Sequence, residues 1–267
     1  MSGPAASPAG KMVGCGLRGS VALPVMIELV ERHTILAVVV GSRAYGLDGP
    51  DSDHDRRGVY AAPTRWFWRL DKPPTHLDGP AGEQFSWEIE RFCTLALQAN
   101  PTVLEVLWSP LVEQVTDDGR QLLAVRRAFL SRRVADTYGR YAQDQKLYAK
   151  TGQLKPALYT LRVLLTGIHL MHTGHVETDL RVLGTDLAYL PDLIAAKQQA
   201  EHGPLPAGAA RHLATDIPRL RAVLEAARDG SPLPEHPDPA AVDTLHDLVV
   251  RTRLNQPDNP PPMSSST

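Results

Sequence analysis

Asp53 and Asp55 stand one residue apart in "GPDSDHDRRGVY", with Asp51 just upstream, and a Gly-Ser pair, Gly41-Ser42, lies about ten residues before them. Side chains two apart on an extended chain project to the same side. Two carboxylates held so close raise each other's pKa, unless a cation lies between them. Oxygen ligands of this kind suit a hard divalent ion, Mg²⁺ or Mn²⁺. Gly41 allows close approach of backbone to a phosphate, and Ser42 with the amides after it can donate hydrogen bonds to a triphosphate. Arg43 and Arg57 add charge-assisted phosphate ligands. Together these residue types suit metal-dependent nucleotidyl transfer, in which an activated oxygen attacks a phosphorus and pyrophosphate leaves.

The elements that must position these groups follow from the pattern around them. The β-branched run "TILAVVV" (34–40) ends at Gly41 and reads as a buried strand, preceded by a short helix over 22–33. "RGVYAA" (57–62) is a second strand, so the aspartates sit where a turn-rich loop enters it. "EQFSWEI" offers a third strand running into a helix from about Trp87 to Gln98; Asn100-Pro101 breaks that helix and "TVLEVLW" starts another. From residue 119 the pattern is helical. Pro156 fits a first turn and Gly174 a C-terminal cap, with Leu158, Leu161, Leu165, Ile168 and His172 as one buried stripe. Lys155, Tyr159 and Arg162 fall on another face, free to point at a ligand. Further helices are expected near 187–201, 206–228 and 239–252.

Composition bounds the rest. At 267 residues and 43% hydrophobic, the chain can fill a core of one large or two modest domains. Cys15 and Cys93 are its two cysteines and lie far apart, which points away from a disulfide framework or structural zinc and towards a cytoplasmic setting. No apolar run approaches the roughly 20 residues of a membrane span, and the first residues lack a secretory apolar stretch. The formal charge of −2 hides an asymmetry: residues 120–162 hold ten basic and two acidic side chains, a local +8 that suits phosphates, solvated helix faces being the bland alternative. His169, His172 and His175 repeat every three residues without a carboxylate or cysteine to complete a metal set. The four tryptophans, Trp66, Trp68, Trp87 and Trp108, are expected in the core or at a seam, and Cys93 as a small buried hydrophobe.

The ordered set "GSRAYG", "DSDHDRRGV" and "NPTVLEVL" (Asn100–Leu107) resembles the signature of the DNA polymerase β nucleotidyltransferase superfamily, and in its fuller form the RNA-repair-associated RlaP family. The likeness covers roughly residues 35–180 and continues weakly through "YAQDQKLY", where Lys146 lies. It implies an α/β (α+β) fold: a small mixed polymerase β-type sheet at 26–112, then a helical domain over 113–253, with tails at 1–25 and 254–267 read as disordered. It further implies a carboxylate triad that also holds metal, in which Asp53 and Asp55 match directly and Glu83 replaces the usual Asp, with Glu88 as fallback. Gly41, Ser42, Arg43, Arg57, Lys146, Lys155, Tyr159 and Arg162 are the implied nucleotide ligands, Tyr159 standing where a histidine is expected. The implied reaction moves a nucleoside monophosphate from a nucleoside triphosphate, ATP foremost, to an acceptor hydroxyl on RNA. The alternatives are adenylylation of a partner protein and a catalytically silent nucleotide binder.

Overall fold

The near-continuous apolar run after residue 33 forms β1 (Thr34–Val39), all six residues buried, and it takes an interior place in the sheet because both its faces can be covered. The computed structural model describes residues 23–144, 152–200 and 203–257. Helix α1 (Leu23–Arg32) leads into β1, and β2 (Arg56–Tyr60) returns antiparallel to it with Val38 opposite Arg57. A long excursion then carries β3 (His76–Asp78) and β4 (Gln84–Glu88); β4 runs parallel to β2 with Arg56 opposite Gln84 and Tyr60 opposite Glu88. Helices α2 (Ile89–Leu97) and α3 (Pro101–Trp108) follow, and β5 (Val112–Val115) closes the other edge, giving the mixed order β3-β4-β2-β1-β5. The sheet thus extends to Val115, just past the division expected at residue 112.

The remaining α-helices among the described residues are α4 (Asp117–Ala124), α5 (Arg133–Asp144), α6 (Leu154–Thr173), α7 (Leu180–Leu183), α8 (Leu190–Gln199), α9 (Ala209–Asp229) and α10 (Pro239–Asn255). The fold is α+β, with the two short edge strands β3 and β5 as additions to the expected elements. One apolar core runs from Ile35 and Val38 in the sheet through α2 and α3 to α5, α6 and α9; a smaller one packs Met26, Leu29 and Val30 of α1 on Tyr60 and Trp66. Among the described residues no helix is long and apolar enough to cross a membrane. The expected tails fall largely outside the described residues, as do Cys15, Lys146 and Lys150.

Helix α6 departs from the single-stripe expectation. Pro156 does lie in its first turn, and Gly174, left-handed at φ +65°, caps its end. Yet α5, α7, α8 and α9 all pack on α6, so it is buried on several sides, including Ala157, Leu164, Leu170 and Met171, while His172 is exposed. A stripe reading assumes one covered face, and a central helix has more. Trp68 is a second correction: Trp66, Trp87 and Trp108 are buried with Cys93, whereas Trp68 is 83% exposed.

Two contacts tie the C-terminal helix α10 to the sheet. Glu88 caps α2 by accepting from the Glu90 amide at 2.8 Å, and Arg253 grips its carboxylate with Nε and Nη2 at 3.0 and 2.7 Å. Burial raises the Glu88 pKa, and Arg253 opposes that rise. Removing the cation leaves a buried carboxylate unpaired, so Arg253→Met is expected to lower stability by about 3 kcal/mol in urea unfolding. His33, buried at the α1–β1 junction, donates through Nδ1–H to Gln256 Oε1 at 3.0 Å, and burial lowers its pKa. The unfolded chain therefore takes up this proton first, and stability is lost as pH falls below the ordinary imidazole value of about 6.5. Thermal melts of His33→Asn between about pH 7 and 5 should show a shallower decline than the parent, not a flat one, since His169 is shifted in the same direction by burial.

Candidate active site

Strand β1 delivers the chain to a tight 3-10 turn, Gly41–Arg43. Gly41 is left-handed at φ +71°, and a Cβ built on it would come within 2.1 Å of Asp55 Oδ2. Only glycine lets the aspartate close against this turn. The Val40 amide donates to the Asp55 carbonyl at 2.9 Å, which fixes the loop bearing the aspartates to the end of β1. Ser42 is buried, and its carbonyl accepts from the Leu47 amide at 2.9 Å. Arg43 reaches across to the carbonyls of Ser52 and Asp53 at 3.3 and 3.4 Å, so it braces the aspartate loop. Asp53 is exposed and Asp55 half-exposed, directly before β2; Arg57 Nη2 lies 3.7 Å from Asp55 Oδ1.

Behind the turn lies a buried polar cluster. Arg162 of α6 bonds Glu105 of α3 through Nη1, with side chains only 3% and 4% exposed. Tyr45 donates to the second Glu105 oxygen at 2.6 Å, and the Arg162 guanidinium lies 3.8 Å from the centre of the Tyr45 ring. Tyr159 meets Tyr45 edge-on at 5.6 Å, and its hydroxyl is 3.4 Å from Ser42 Oγ. Lys155 Nζ lies 5.8 Å from the centre of the Tyr159 ring. Burial alone would lower the Arg162 pKa, but Glu105 and Tyr45 outweigh it and hold the guanidinium above its ordinary value. Burial drives the Tyr45 and Tyr159 hydroxyls up, so both stay protonated. Arg162 therefore leaves the ligand-facing set expected from its spacing with Lys155 and Tyr159: it is the cation of an interior pair.

Glu83 and Glu88 separate cleanly. Glu83 precedes β4 as Asp55 precedes β2, and the Arg56–Gln84 register puts the two starts side by side. Glu83 Oε2 accepts from the His54 amide at 2.9 Å, and its carbonyl accepts from the Arg56 amide at 3.1 Å. Glu88 is at the far end of β4, engaged by Arg253. Among the described residues no three His, Cys, Asp or Glu side chains are gathered as a metal set. Asp53 and Asp55 have the hard-oxygen chemistry that Mg²⁺ or Mn²⁺ requires, and the Gly41 cradle seats Asp55, so these two fit a cation, while Glu83 is not drawn in with them. The His169 and His175 rings lie 6.4 Å apart, and His175 meets Trp108 edge-on at 6.3 Å.

Several supporting residues escape sequence reasoning. Thr178 Oγ1 donates to the Ala44 carbonyl at 3.1 Å, the Leu180 amide to the Tyr45 carbonyl at 3.0 Å, and Lys197 Nζ to the Leu47 carbonyl at 3.4 Å. Segment 178–197 thus holds the loop after Gly41-Ser42 from behind. A signal for Glu105 did exist: a lone acid in the otherwise apolar "TVLEVLW" needs an interior partner.

The family model RlaP, described as "RNA repair pathway DNA polymerase beta family", matches residues 21–251. YcgL of Bacillus subtilis (strain 168) is 26% identical over 170 residues, which cover 60% of this chain and 65% of that protein, a little under two thirds of the relative's length.

The interior pair gives a clear energetic expectation. Arg162→Met or Glu105→Leu alone strands a buried charge and should cost about 3–5 kcal/mol, whereas the double variant should lie nearer the parent than either single one. Additive losses in a urea double-mutant cycle would rule out the pairing.

Proposed function

Because the chain belongs to the RlaP family, the RNA repair pathway DNA polymerase beta family, we propose that it transfers a nucleoside monophosphate from a nucleoside triphosphate, ATP foremost, to a hydroxyl of RNA. Membership implies nucleotidyltransferase chemistry in RNA repair; the acceptor, the metal and the residue roles are our reading. The observation that carries it is the closure of Asp55 on Gly41, which sets one carboxylate directly beside a tight turn able to receive phosphates.

In this reading the triphosphate lies over Gly41 and Ser42, where backbone amides and the Ser42 hydroxyl orient it, with Arg57 and Lys155 as nearby cations. Asp53 and Asp55 would hold a divalent cation, Mg²⁺ or Mn²⁺, which supplies phosphate-charge neutralisation and activation of the acceptor hydroxyl. Arg43 keeps the aspartate loop in place through the Ser52 and Asp53 carbonyls. Tyr159, protonated and partly exposed, presents a ring on which a base can stack. The acceptor oxygen forms a bond to the α-phosphorus as the bond from that phosphorus to the bridging oxygen breaks, and pyrophosphate departs in line. The same reading puts the protein in the cytoplasm. One observation favours a second reading, a nucleotide binder without turnover: Glu83 does not join Asp53 and Asp55 in a three-carboxylate set among the described residues.

One experiment decides between them. The purified protein is incubated with each α-labelled nucleoside triphosphate, Mg²⁺ or Mn²⁺ and total RNA, beside Asp55→Asn. Label should enter RNA, and the variant should lose more than about a hundredfold of that rate. Equal labelling by Asp55→Asn ends the proposal. Triphosphate binding with no labelled RNA supports the silent binder, and label on protein replaces RNA as acceptor.

A further inference from the structure

Three arginines of the basic segment 120–162 are engaged within the fold. Arg126 lies over the Trp108 ring and bonds the Leu107 carbonyl at 3.1 Å. Arg132 holds the carbonyls of Ser231 and Leu233, each at 2.9 Å, and Arg162 is paired with Glu105. Arg133 and Arg140 differ: both are exposed, and among the described residues neither has a carboxylate at ion-pair distance. They stand seven residues apart on one face of α5 and line a cavity of about 620 Å³ against α9. The opposite wall carries Arg221 and Arg228, again seven apart. Acids steady that second pair: Glu225 lies 3.4 Å from Arg221, and Glu235 and Asp136 lie 2.7 and 3.4 Å from Arg228.

We propose that this α5–α9 cleft binds the phosphodiester backbone of single-stranded RNA, the acceptor strand of the reaction. The inference rests on the reading of RNA as acceptor. Seven residues of helix rise about 10 Å, so each wall repeats its guanidinium along a distance that takes in two or three phosphates of a strand. Guanidinium groups match phosphate oxygens in planar, bidentate fashion, and the four arginines of the lining outnumber its three acids, Asp136, Glu225 and Asp229, with Arg133 and Arg140 free of a carboxylate at ion-pair distance among the described residues. A single free phosphate fills little of such a cleft. Gly139 lies between the two α5 arginines, and a Cβ built there meets nothing within 4 Å, so the cleft floor is open at the point where a strand would pass.

The test measures binding of a fluorescent single-stranded RNA of about 20 nucleotides to the full chain carrying Asp55→Asn, over a series of salt concentrations, so that transfer does not enter. Arg133→Gln/Arg140→Gln is added in one variant and Gly139→Glu in another. The first removes two exposed cations. The second puts a carboxylate into open space while replacing a helical glycine, which favours the helix. Thermal melting confirms that each is folded. Both should raise Kd at least about tenfold, and the double variant should reduce the slope of log affinity against log salt by about 1.4, the share of two single-strand phosphates. Unchanged Kd and slope in both variants overturn the inference, as does absence of RNA binding by the parent at low salt. A polyglutamate peptide that competes as well as RNA for the cleft overturns it in favour of an acidic protein partner. Cleft-dependent RNA binding without any transfer leaves this inference standing and defeats only the transferase reading; transfer to RNA with the cleft variants unaffected does the reverse.

Discussion

A carboxylate and a guanidinium taken almost wholly out of water, Glu105 and Arg162, form the contact on which the site is built. Desolvating two charges costs several kcal/mol each, and their attraction offsets this only if the remaining polar atoms are also engaged. Tyr45 meets much of that need: its hydroxyl takes the second Glu105 oxygen, and its ring face lies against the guanidinium. Because Tyr45 lies two residues after the Gly41–Arg43 turn, the pair that joins α3 to α6 also fixes the loop after Gly41-Ser42. Tyr159, one turn before Arg162, extends the contact to Ser42. Sheet, central helix and loop are thus held by one interior cluster.

Around that cluster the two halves of the molecule share a core, so the helical part is more than an appendage. Thr178, Leu180 and Lys197 pin carbonyls of the segment 44–47, and Arg253 from the last helix reaches back to Glu88. Backbone hydrogen bonds from such distant positions replace the local ladder that an irregular loop lacks. The aspartates themselves stay near the surface, where a ligand can reach them. Rigid support thus lies behind the loop, and open carboxylates lie in front of it.

The basic segment shows how much a linear charge count conceals. Arg132 and Arg162 make bonds within the fold, Arg126 lies over Trp108, Arg120 pairs with Asp117 at the surface, and Arg133 and Arg140 line the cleft against α9. Arg221 and Arg228, whose sequence neighbourhood is not notably basic, complete the cleft from the opposite helix. Charge density along a chain sets the supply of cations, and helix packing decides which of them meet.

Local chemistry made a good part of this legible from the chain alone. "TILAVVV" ending at Gly41, the aspartates at the mouth of the next strand, Asn100-Pro101 opening α3 and the Pro156 and Gly174 bounds of α6 follow from side-chain shape and backbone freedom, which act within a few residues. The short edges β3 and β5 did not show, because three or four half-polar residues carry too little periodicity to mark a strand. Tertiary structure alone decided that β2 and β4 run parallel, that Glu88 belongs to Arg253, that α6 is enclosed on several sides and that Arg162 turns inward to Glu105. Periodicity reports that a face is covered; which partner covers it, 57 residues away in the case of Glu105 and Arg162, is settled only when the chain closes on itself.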